Sequence, residues 1–143
     1  MAHVFIPTAS FNGTASVQIA TNDGNGGTDT KSFNITVNTA PNATLTLSSD
    51  ATICNGANST ITLNSSVSGI NYQLRNDSDN SNIGSVVAGT GGNITFDVSP
   101  SASTTYNVLA TNATTSCNAE LTDKVTITVN DVTGGTVGSD QSI

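Results

Sequence analysis

Residues 94–112 read ITFDVSPSASTTYNVLATN, and this stretch decides the fold class. Apolar side chains alternate with polar ones on both sides of a turn, in the two sets Ile94, Phe96, Val98 and Tyr106, Val108, Ala110. Because successive side chains of a β-strand point to opposite faces, a period of two is typical of a strand with one buried face. The stretch therefore predicts two β-strands joined by a turn, with Pro100 ending the first strand.

Further strands are predicted by the same alternation on either side of this pair. Within residues 41–131 they cover residues 43–49, 60–67, 70–75, 82–88 and 125–129, with Ile61, Leu63, Val67, Ile70, Tyr72 and Leu74 facing inward. Runs rich in Asn, Gly and Ser separate the strands and are typical of turns. Seven short strands in roughly 90 residues, with no helical pattern, predict an all-β chain folded as an immunoglobulin-like antiparallel β-sandwich.

The charge balance argues against two classes of partner. The 143-residue chain has a formal net charge of −7, and its only Lys and Arg residues are Lys31, Arg75 and Lys124. Nucleic-acid binding requires a basic surface that displaces counterions from phosphates. No apolar run approaches the length that spans a bilayer. We therefore expect neither nucleic-acid binding nor membrane insertion.

An internal repeat organises the chain. Four short matches recur in the same order at offsets of about 90 to 94 residues, which is the signature of a tandem-repeat array. They are Ala20-Thr21-Asn22 with Ala110-Thr111-Asn112, Thr28-Asp29 and Lys31 with Thr122-Asp123-Lys124, Ile35-Thr36-Val37-Asn38 with Ile127-Thr128-Val129-Asn130, and Ser49-Asp50 and Ile53 with Ser139-Asp140 and Ile143. The chain is therefore predicted to be a fragment of such an array.

The repeat predicts three segments. Residues 1–40 form the C-terminal hairpin of a preceding repeat, residues 41–131 a complete sandwich, and residues 132–143 the first strand of the next repeat. In the hairpin, two alternating strands flank an Asp- and Gly-rich turn at residues 23–27. Because an isolated hairpin is only marginally stable in water, we expect it to pack against the neighbouring unit, another chain or its own missing half.

The two cysteines, Cys54 and Cys117, are too far apart in sequence for a CxxC redox motif and too few for a structural zinc site. In an extracellular β-domain a disulfide is the natural interpretation, and two unrelated buried thiols are the alternative. A disulfide here would close a loop of about 60 residues and contribute roughly 4 kcal/mol in the chain-entropy model.

Catalysis is nearly excluded by the inventory of side chains. His3 is the only imidazole and stands close to the N-terminus, so a Ser–His–Asp or Cys–His arrangement has no credible base. Glu120 is the only Glu, and no pair of Asp residues stands in an apolar setting that would raise a carboxyl pKa. We therefore expect no enzymatic activity.

Calcium is the one cofactor that the residues suggest. Asp23, Asn25 and Asp29 gather hard oxygen ligands around a Gly-rich turn, which suits the flexible oxygen shell of calcium. A second cluster consists of Asp77, Asp79, Asn80 and Asn82. The alternative, which we favour, is that Asp-Gly and Asn-Gly sequences simply build tight turns.

Tyr106 begins a late strand a few residues after Pro100. Its expected role is structural. It is either a tyrosine corner, in which the hydroxyl bonds back to the backbone, or an ordinary core aromatic.

Two parts of the chain resemble known bacterial repeat families. The hairpin, from Phe11-Asn12-Gly13-Thr14 to Ile35-Thr36-Val37-Asn38, resembles the closing hairpin of cadherin-like tandem repeats. The complete unit resembles the Ig-like repeats of very large secreted surface proteins, including gliding-motility adhesins, of Bacteroidetes-type bacteria. The matching stretches are residues 53–56, 72–77, 88–92 and 104–108, and Cys117 follows in its hairpin as the second Cys of that family does.

This resemblance implies export and presentation on the bacterial cell surface. The function that it implies is a structural stalk or spacer segment of an adhesin, supporting surface attachment or motility, with neighbouring repeats of the same chain as partners. Two alternatives stay open. One is a glycan-binding accessory module that uses the loops at residues 76–82 and 89–93. The other is a subunit of an extracellular filament that assembles with other copies of itself by strand addition.

Overall fold

The computed structural model describes residues 11–131 and is all-β, as the alternating pattern predicts. It divides the chain into two compact units after Thr39, and the boundary predicted from the repeat lies after residue 40. His3 and the predicted strand at residues 132–143 fall outside the described residues. The described part contains no helix, and so none that is long and apolar enough to cross a membrane.

The first unit is an antiparallel hairpin of two strands, β1 (Gly13–Asn22) and β2 (Thr28–Val37). The strands pair along their whole length, and Val17 stands opposite Phe33. Because side chains alternate across a strand, the apolar residues of β1 and β2 share one face of the hairpin. That face is exposed in part: Ile19 is 52% and Phe33 47% accessible to solvent, whereas Val17 and Ile35 are half-buried.

The second unit is sandwich-like and consists of two sheets. Its strands are β3 (Leu47–Ser48), β4 (Thr52–Cys54), β5 (Ser59–Leu63), β6 (Ile70–Asn76), β7 (Val87–Ala88), β8 (Ile94–Val98), β9 (Thr104–Asn112), β10 (Asn118–Glu120) and β11 (Val125–Asn130). The smaller sheet has the order β3-β5-β8. The larger has the order β4-β11-β9-β6-β7, and β10 lies beside β9 in line with β11.

One hydrophobic core joins the strands of both sheets. The inward residues predicted from alternation in residues 94–112 are all buried there, and Tyr72, Ile61 and Leu63 are among its largest enclosed side chains. The full set of buried apolar residues is Ile61, Leu63, Ile70, Tyr72, Leu74, Ile94, Phe96, Val98, Tyr106, Val108, Ala110, Leu121 and Ile127. The period-two prediction for these strands is therefore confirmed.

The chain enters this unit through a segment that crosses from one sheet to the other. β3 pairs antiparallel with β5, whereas β4 pairs parallel with β11. The predicted strand at residues 43–49 is thus reduced to two residues, and β4 lies outside the predicted strands. Each half of the segment joins the sheet of the distant strand with which it pairs, β5 for β3 and β11 for β4.

Two further predicted strands need correction. Val67 is 45% exposed and not inward, because β5 ends at Leu63 and Ser65 turns the chain with a φ of 57°. The predicted strand at residues 82–88 is reduced to β7 and an isolated bridge between residues 75 and 82.

Candidate functional site: a closed polar ring on the larger sheet

Three neighbouring strands of the larger sheet bring five polar side chains together. Arg75 lies on β6, Asn107 on β9 and Glu120 on β10. Asp77 follows β6 directly, and Lys124 lies between β10 and β11. Leu74, Tyr106 and Val108 are core residues adjacent in sequence to Arg75 or Asn107. Because side chains alternate along a strand, Arg75 and Asn107 lie on the face of the sheet away from the core. We call this set of five residues the polar ring.

Each member of the polar ring contacts the next, and the ring closes. Arg75 Nε donates to Asn107 Oδ1 over 3.0 Å, and Asn107 Nδ2 donates to Asp77 Oδ1 over 2.9 Å. Lys124 Nζ donates to the same Asp77 oxygen and lies 3.8 Å from Glu120 Oε1. The ion pair between Arg75 and Glu120 completes the circuit. The ring therefore joins β6, β9 and β10 through side chains in addition to the backbone ladders.

Asn107 is the centre of this arrangement. It is 0% exposed, and its second amide hydrogen is donated to Asn80 Oδ1 over 2.9 Å. Both amide hydrogens and the amide oxygen are thus satisfied, which is what a buried polar side chain requires. The side chain of Arg75 is only 13% exposed. A partly desolvated ion pair of this kind is costly to leave half broken.

The contacts in the ring shift two ionisation equilibria. The hydrogen bond from Lys124, then that from Asn107, lowers the pKa of Asp77 below its ordinary value of 3.8. The hydrogen bond to Asp77 raises the pKa of Lys124 above its ordinary value of 10.5. Both groups are therefore charged throughout the physiological range. Asp77 is therefore held as an anion by its hydrogen bonds within the ring.

These shifts predict how stability depends on pH. The contribution of Asp77 is present above its unfolded pKa and is lost as the pH falls through its lowered folded pKa. That of Lys124 is present below its unfolded pKa and is lost as the pH rises through its raised folded pKa. We expect Asp77→Asn to lower the melting temperature at pH 7, and its difference from the wild type to shrink as the pH falls below the ordinary carboxyl pKa of 3.8. Exposed Asp50→Asn is the control, and an effect of Asp77→Asn that stays constant as the pH falls would contradict the assignment.

Hydrogen bonds in and beside the ring engage three of the four residues of the second oxygen cluster, Asp77, Asp79, Asn80 and Asn82, that was singled out as a calcium candidate. Asp77 and Asn80 accept hydrogen bonds from Asn107. Asp79 Oδ1 accepts the Ser81 N–H over 2.9 Å, and this bond is the first cause of its lowered pKa. Among residues 11–131, no three or more His, Cys, Asp or Glu side chains are grouped to hold a metal ion.

Asp23 and its neighbours form the turn of the hairpin. Asp23 Oδ1 accepts the N–H groups of Asn25 and Gly27 over 2.8 and 2.9 Å, and these bonds lower its pKa. Asp29 pairs with Lys31 over 3.6 Å, with both side chains largely exposed. The turn interpretation accounts for the hydrogen bonds of Asp23, and calcium binding by Asp23, Asn25 and Asp29 stays a prediction.

The structure corrects the predicted disulfide, because Cys54 and Cys117 are both free thiols, the first exposed and the second half-buried. Cys54 stands opposite Asn130 of β11 in the sheet. Because Ile127 of β11 already stands opposite Thr104, the first residue of β9, Cys54 lies beyond that end of β9. Cys117 lies at the opposite end of β9, where its carbonyl accepts the N–H of Asn112. The length of β9 alone separates the two by more than about 25 Å, whereas a disulfide requires Cα atoms within about 7 Å.

We therefore expect the purified, unreduced protein to contain two titratable thiols. Cys54 should react faster than Cys117 with a water-soluble thiol reagent because it is more exposed. Cys54→Ser should remove the fast phase and leave the slow one. A mass that is lower by two hydrogens before reduction than after it would contradict the separation of the two thiols.

The two tyrosines have different contacts. Tyr106 is 2% exposed, and burial is the main cause of its raised pKa, opposed by a hydrogen bond with Thr104. The hydroxyl of Tyr72 accepts the backbone N–H of Val67 over 3.0 Å, five residues upstream. The side chain with the hydroxyl-to-backbone bond typical of a tyrosine corner is therefore Tyr72. Nothing in the sequence pattern distinguished it from Tyr106.

The open cleft beside the ring has a polar lining. It has a volume of about 360 Å³ and lies between the turn after β6 and the start of β9, with Asp77 at its edge. Every aromatic residue of the second unit in the described range is buried, namely Tyr72, Phe96 and Tyr106. The cleft therefore offers hydrogen-bonding groups and no aromatic platform of the kind on which sugar rings stack.

No protein-family model matches the chain, and no curated protein matches it at a significant level.

Proposed function

We propose that this chain is a load-bearing stalk segment of a secreted bacterial cell-surface adhesin, built from Ig-like repeats in series. The observation that carries the proposal is the parallel pairing of β4 with β11. Thr128 N–H donates to the Ala51 carbonyl over 2.9 Å, and Asn55 N–H donates to the Asn130 carbonyl over 3.2 Å.

This pairing is suited to resisting tension. β4 lies near the start of the unit and β11 at its end, so a pull along the chain draws β4 from its N-terminus and β11 from its C-terminus. In a parallel pair these two forces point in opposite directions along the strands. The hydrogen bonds are then loaded together in shear and do not open one at a time. A segment with this geometry near its two ends is therefore suited to transmitting force.

The Ig-like part of the proposal is supported by strand order. A first strand divided between two sheets, with its second half parallel to the last strand, is combined here with the orders β3-β5-β8 and β4-β11-β9-β6-β7. Seven to nine strands in two sheets over roughly 100 residues is the size and layering of an immunoglobulin-like domain.

The tandem-repeat part is supported by two similar hairpins. β1 ends at Asn22 and β9 ends at Asn112, and each Asn side chain accepts the N–H two residues on, from Gly24 and Thr114. Each hairpin also pairs apolar residues across its strands, as Tyr106 does with Val125. The same turn therefore follows β1 and β9, as expected if both units end in the same kind of hairpin. Repetition of one unit is how a stalk gains length without a new fold.

A passive structural role also agrees with the chemistry of the second unit. Its only Lys and Arg residues, Arg75 and Lys124, are both engaged in the polar ring. Its aromatic rings are buried in the described range. Neither an enzyme nor a glycan-binding module is favoured by such a surface, and we assign the location as extracellular on the basis of the resemblance alone.

The proposal is tested by exchanging the segment within its parent protein. Residues 41–131 would be deleted in one strain and replaced in another by an unrelated β-sandwich of equal length. A stalk predicts that deletion weakens surface attachment and that replacement restores it. Loss of attachment in both strains would mean that the segment binds a ligand itself, and the stalk function would be rejected.

A second candidate function is favoured by one observation. The apolar face of the hairpin is exposed at Phe33 (47%) and Ile19 (52%), and an unpaired strand edge is a template for pairing with another chain. A filament subunit that assembles by strand addition would use that face and those edges.

A further inference from the structure

A tight turn follows β4. The Ala57 N–H donates to the Cys54 carbonyl over 3.0 Å, and Gly56 has a φ of 79°, whereas the φ of Asn55 is not positive. A hydrogen bond from the fourth residue to the first, with a positive φ at the third residue alone, is typical of a type II turn. Asn55 and Gly56 are therefore its two central residues.

Asn55 also closes the pairing of β4 with β11. Thr128 N–H donates to the Ala51 carbonyl at one end of the pair, and Asn55 N–H donates to the Asn130 carbonyl at the other. After the turn, the chain crosses to the smaller sheet, where β5 begins at Ser59. The backbone is therefore held by β11 before the turn and by the smaller sheet after it.

The side chain of Asn55 is available for a reaction with its own backbone. It is exposed, and neither its amide nor the Gly56 N–H forms a hydrogen bond with residues 11–131. Because glycine has no side chain to hinder the approach, the Gly56 nitrogen can lose its proton to water and attack Asn55 Cγ, and the side-chain nitrogen leaves as ammonia. Water then opens the five-membered succinimide at either carbonyl, which leaves aspartate or isoaspartate at residue 55.

The turn opposes this reaction while β4 is paired. Closure of the succinimide ring requires the Gly56 nitrogen to eclipse Cβ of Asn55 about the bond between Cα and the carbonyl carbon. The second residue of a type II turn has a ψ of about +120°, and the eclipsed geometry lies about 120° of rotation away from it. Because the backbone is held on both sides of Asn55, this rotation requires β4 to leave β11.

We propose that Asn55-Gly56 is a deamidation site gated by the pairing of β4 with β11. The closed pair protects the amide, and opening of β4 under load permits the rotation that forms the succinimide. Isoaspartate adds a main-chain atom between Cα of residue 55 and Gly56, so the bond from Ala57 to Cys54 is lost with the turn. A segment that load has opened is thereby marked and weakened. The proposal rests on the stalk function and adds to it a chemical record of load.

The test follows deamidation of the full 143-residue chain at mildly alkaline pH by peptide mapping. Ile53→Pro removes an N–H that faces β11 and should raise the rate at Asn55 by about tenfold, because loss of one backbone hydrogen bond shifts a local opening equilibrium by about that factor. Thr52→Pro, whose N–H faces away from β11, should leave the rate unchanged. Asn25-Gly26 in the hairpin turn is the internal control, and neither variant should alter its rate.

Urea provides a second measure that does not depend on a variant. Below the unfolding transition, a reaction through local opening should accelerate with urea less steeply than one through global unfolding, because β4 exposes less surface than the whole unit. An equal rate at Asn55 in Ile53→Pro and the wild type, or a urea dependence as steep as that of global unfolding, would overturn gating by β4. A rate in the folded wild type as high as in the urea-unfolded chain would overturn protection by the turn.

These rates are measured on the isolated chain, whereas the segment exchange measures attachment of cells. Failure of the gated reaction and failure of the stalk function are therefore distinguishable.

Discussion

Replacing Asn107 by Leu is expected to lower the free energy of unfolding by about 3 kcal/mol. Leucine has the same branched shape and the same number of side-chain heavy atoms, so the packing of β9 is kept while the hydrogen bonds at the centre of the polar ring are lost. Arg75 Nε then lacks its acceptor, and the Asp77 oxygen loses one of its two donors. The cost arises because Arg75 stays desolvated after its partner is removed.

Urea denaturation followed by intrinsic tyrosine fluorescence measures this effect. Asn118→Leu, an exposed asparagine on the adjacent strand β10, is the matched control and should change stability by less than about 0.5 kcal/mol. Equal effects at the two positions would show that the ring adds nothing beyond an ordinary surface contact.

Gly89→Ala should be at least as damaging, at about 3 kcal/mol or more. A Cβ at residue 89 would stand 2.1 Å from the Val67 carbonyl oxygen and 2.9 Å from a ring carbon of Tyr72. The first of these contacts is with backbone, which has no alternative rotamer. Relief requires moving the segment whose N–H donates to the Ile70 carbonyl and the loop that holds the Tyr72 hydroxyl.

Gly92→Ala is the natural control for this substitution. A Cβ at residue 92 would meet nothing closer than 3.9 Å, and residue 92 has no positive φ. Thermal unfolding of the two variants should therefore separate them clearly, with only the residue-89 variant losing stability. Comparable melting temperatures would mean that the loop before β6, which contains Val67, or the loop after β7, which contains Gly89, moves aside at little cost.

The strands of the core were predictable because one face of each is buried and the other is solvated. Because of that asymmetry, apolar and polar residues alternate in residues 94–98 and 104–112, and the apolar ones are buried as predicted. The same signal fails for β4, a three-residue edge strand, because its sheet assignment depends on pairing with β11 far along the chain. Alternation also extends β5 beyond its end, since Val67 continues the pattern after the chain has turned at Ser65.

The disulfide and the polar ring required information that spacing along the chain does not contain. The number of residues between Cys54 and Cys117 says how large a loop would be closed but not that the two lie at opposite ends of β9. The ring joins residues from 75 to 124 that become neighbours only when β6, β9 and β10 pair. The sequence shows how few cations there are, and only the structure shows that each of them, Lys31, Arg75 and Lys124, lies in an ion pair.

Single-molecule force measurement tests the load-bearing role most directly. With the chain held by its ends, we expect the second unit to unfold in one step at a well-resolved force and to release about 300 Å, because no crosslink shortens its roughly 90 residues. Ile53→Pro, which removes the N–H that alternation directs toward β11, should lower that force. Thr52→Pro, whose N–H faces the free edge of β4, should preserve it. Unfolding without a resolved force, or a release of only about 100 Å as a disulfide between Cys54 and Cys117 would impose, would contradict this account.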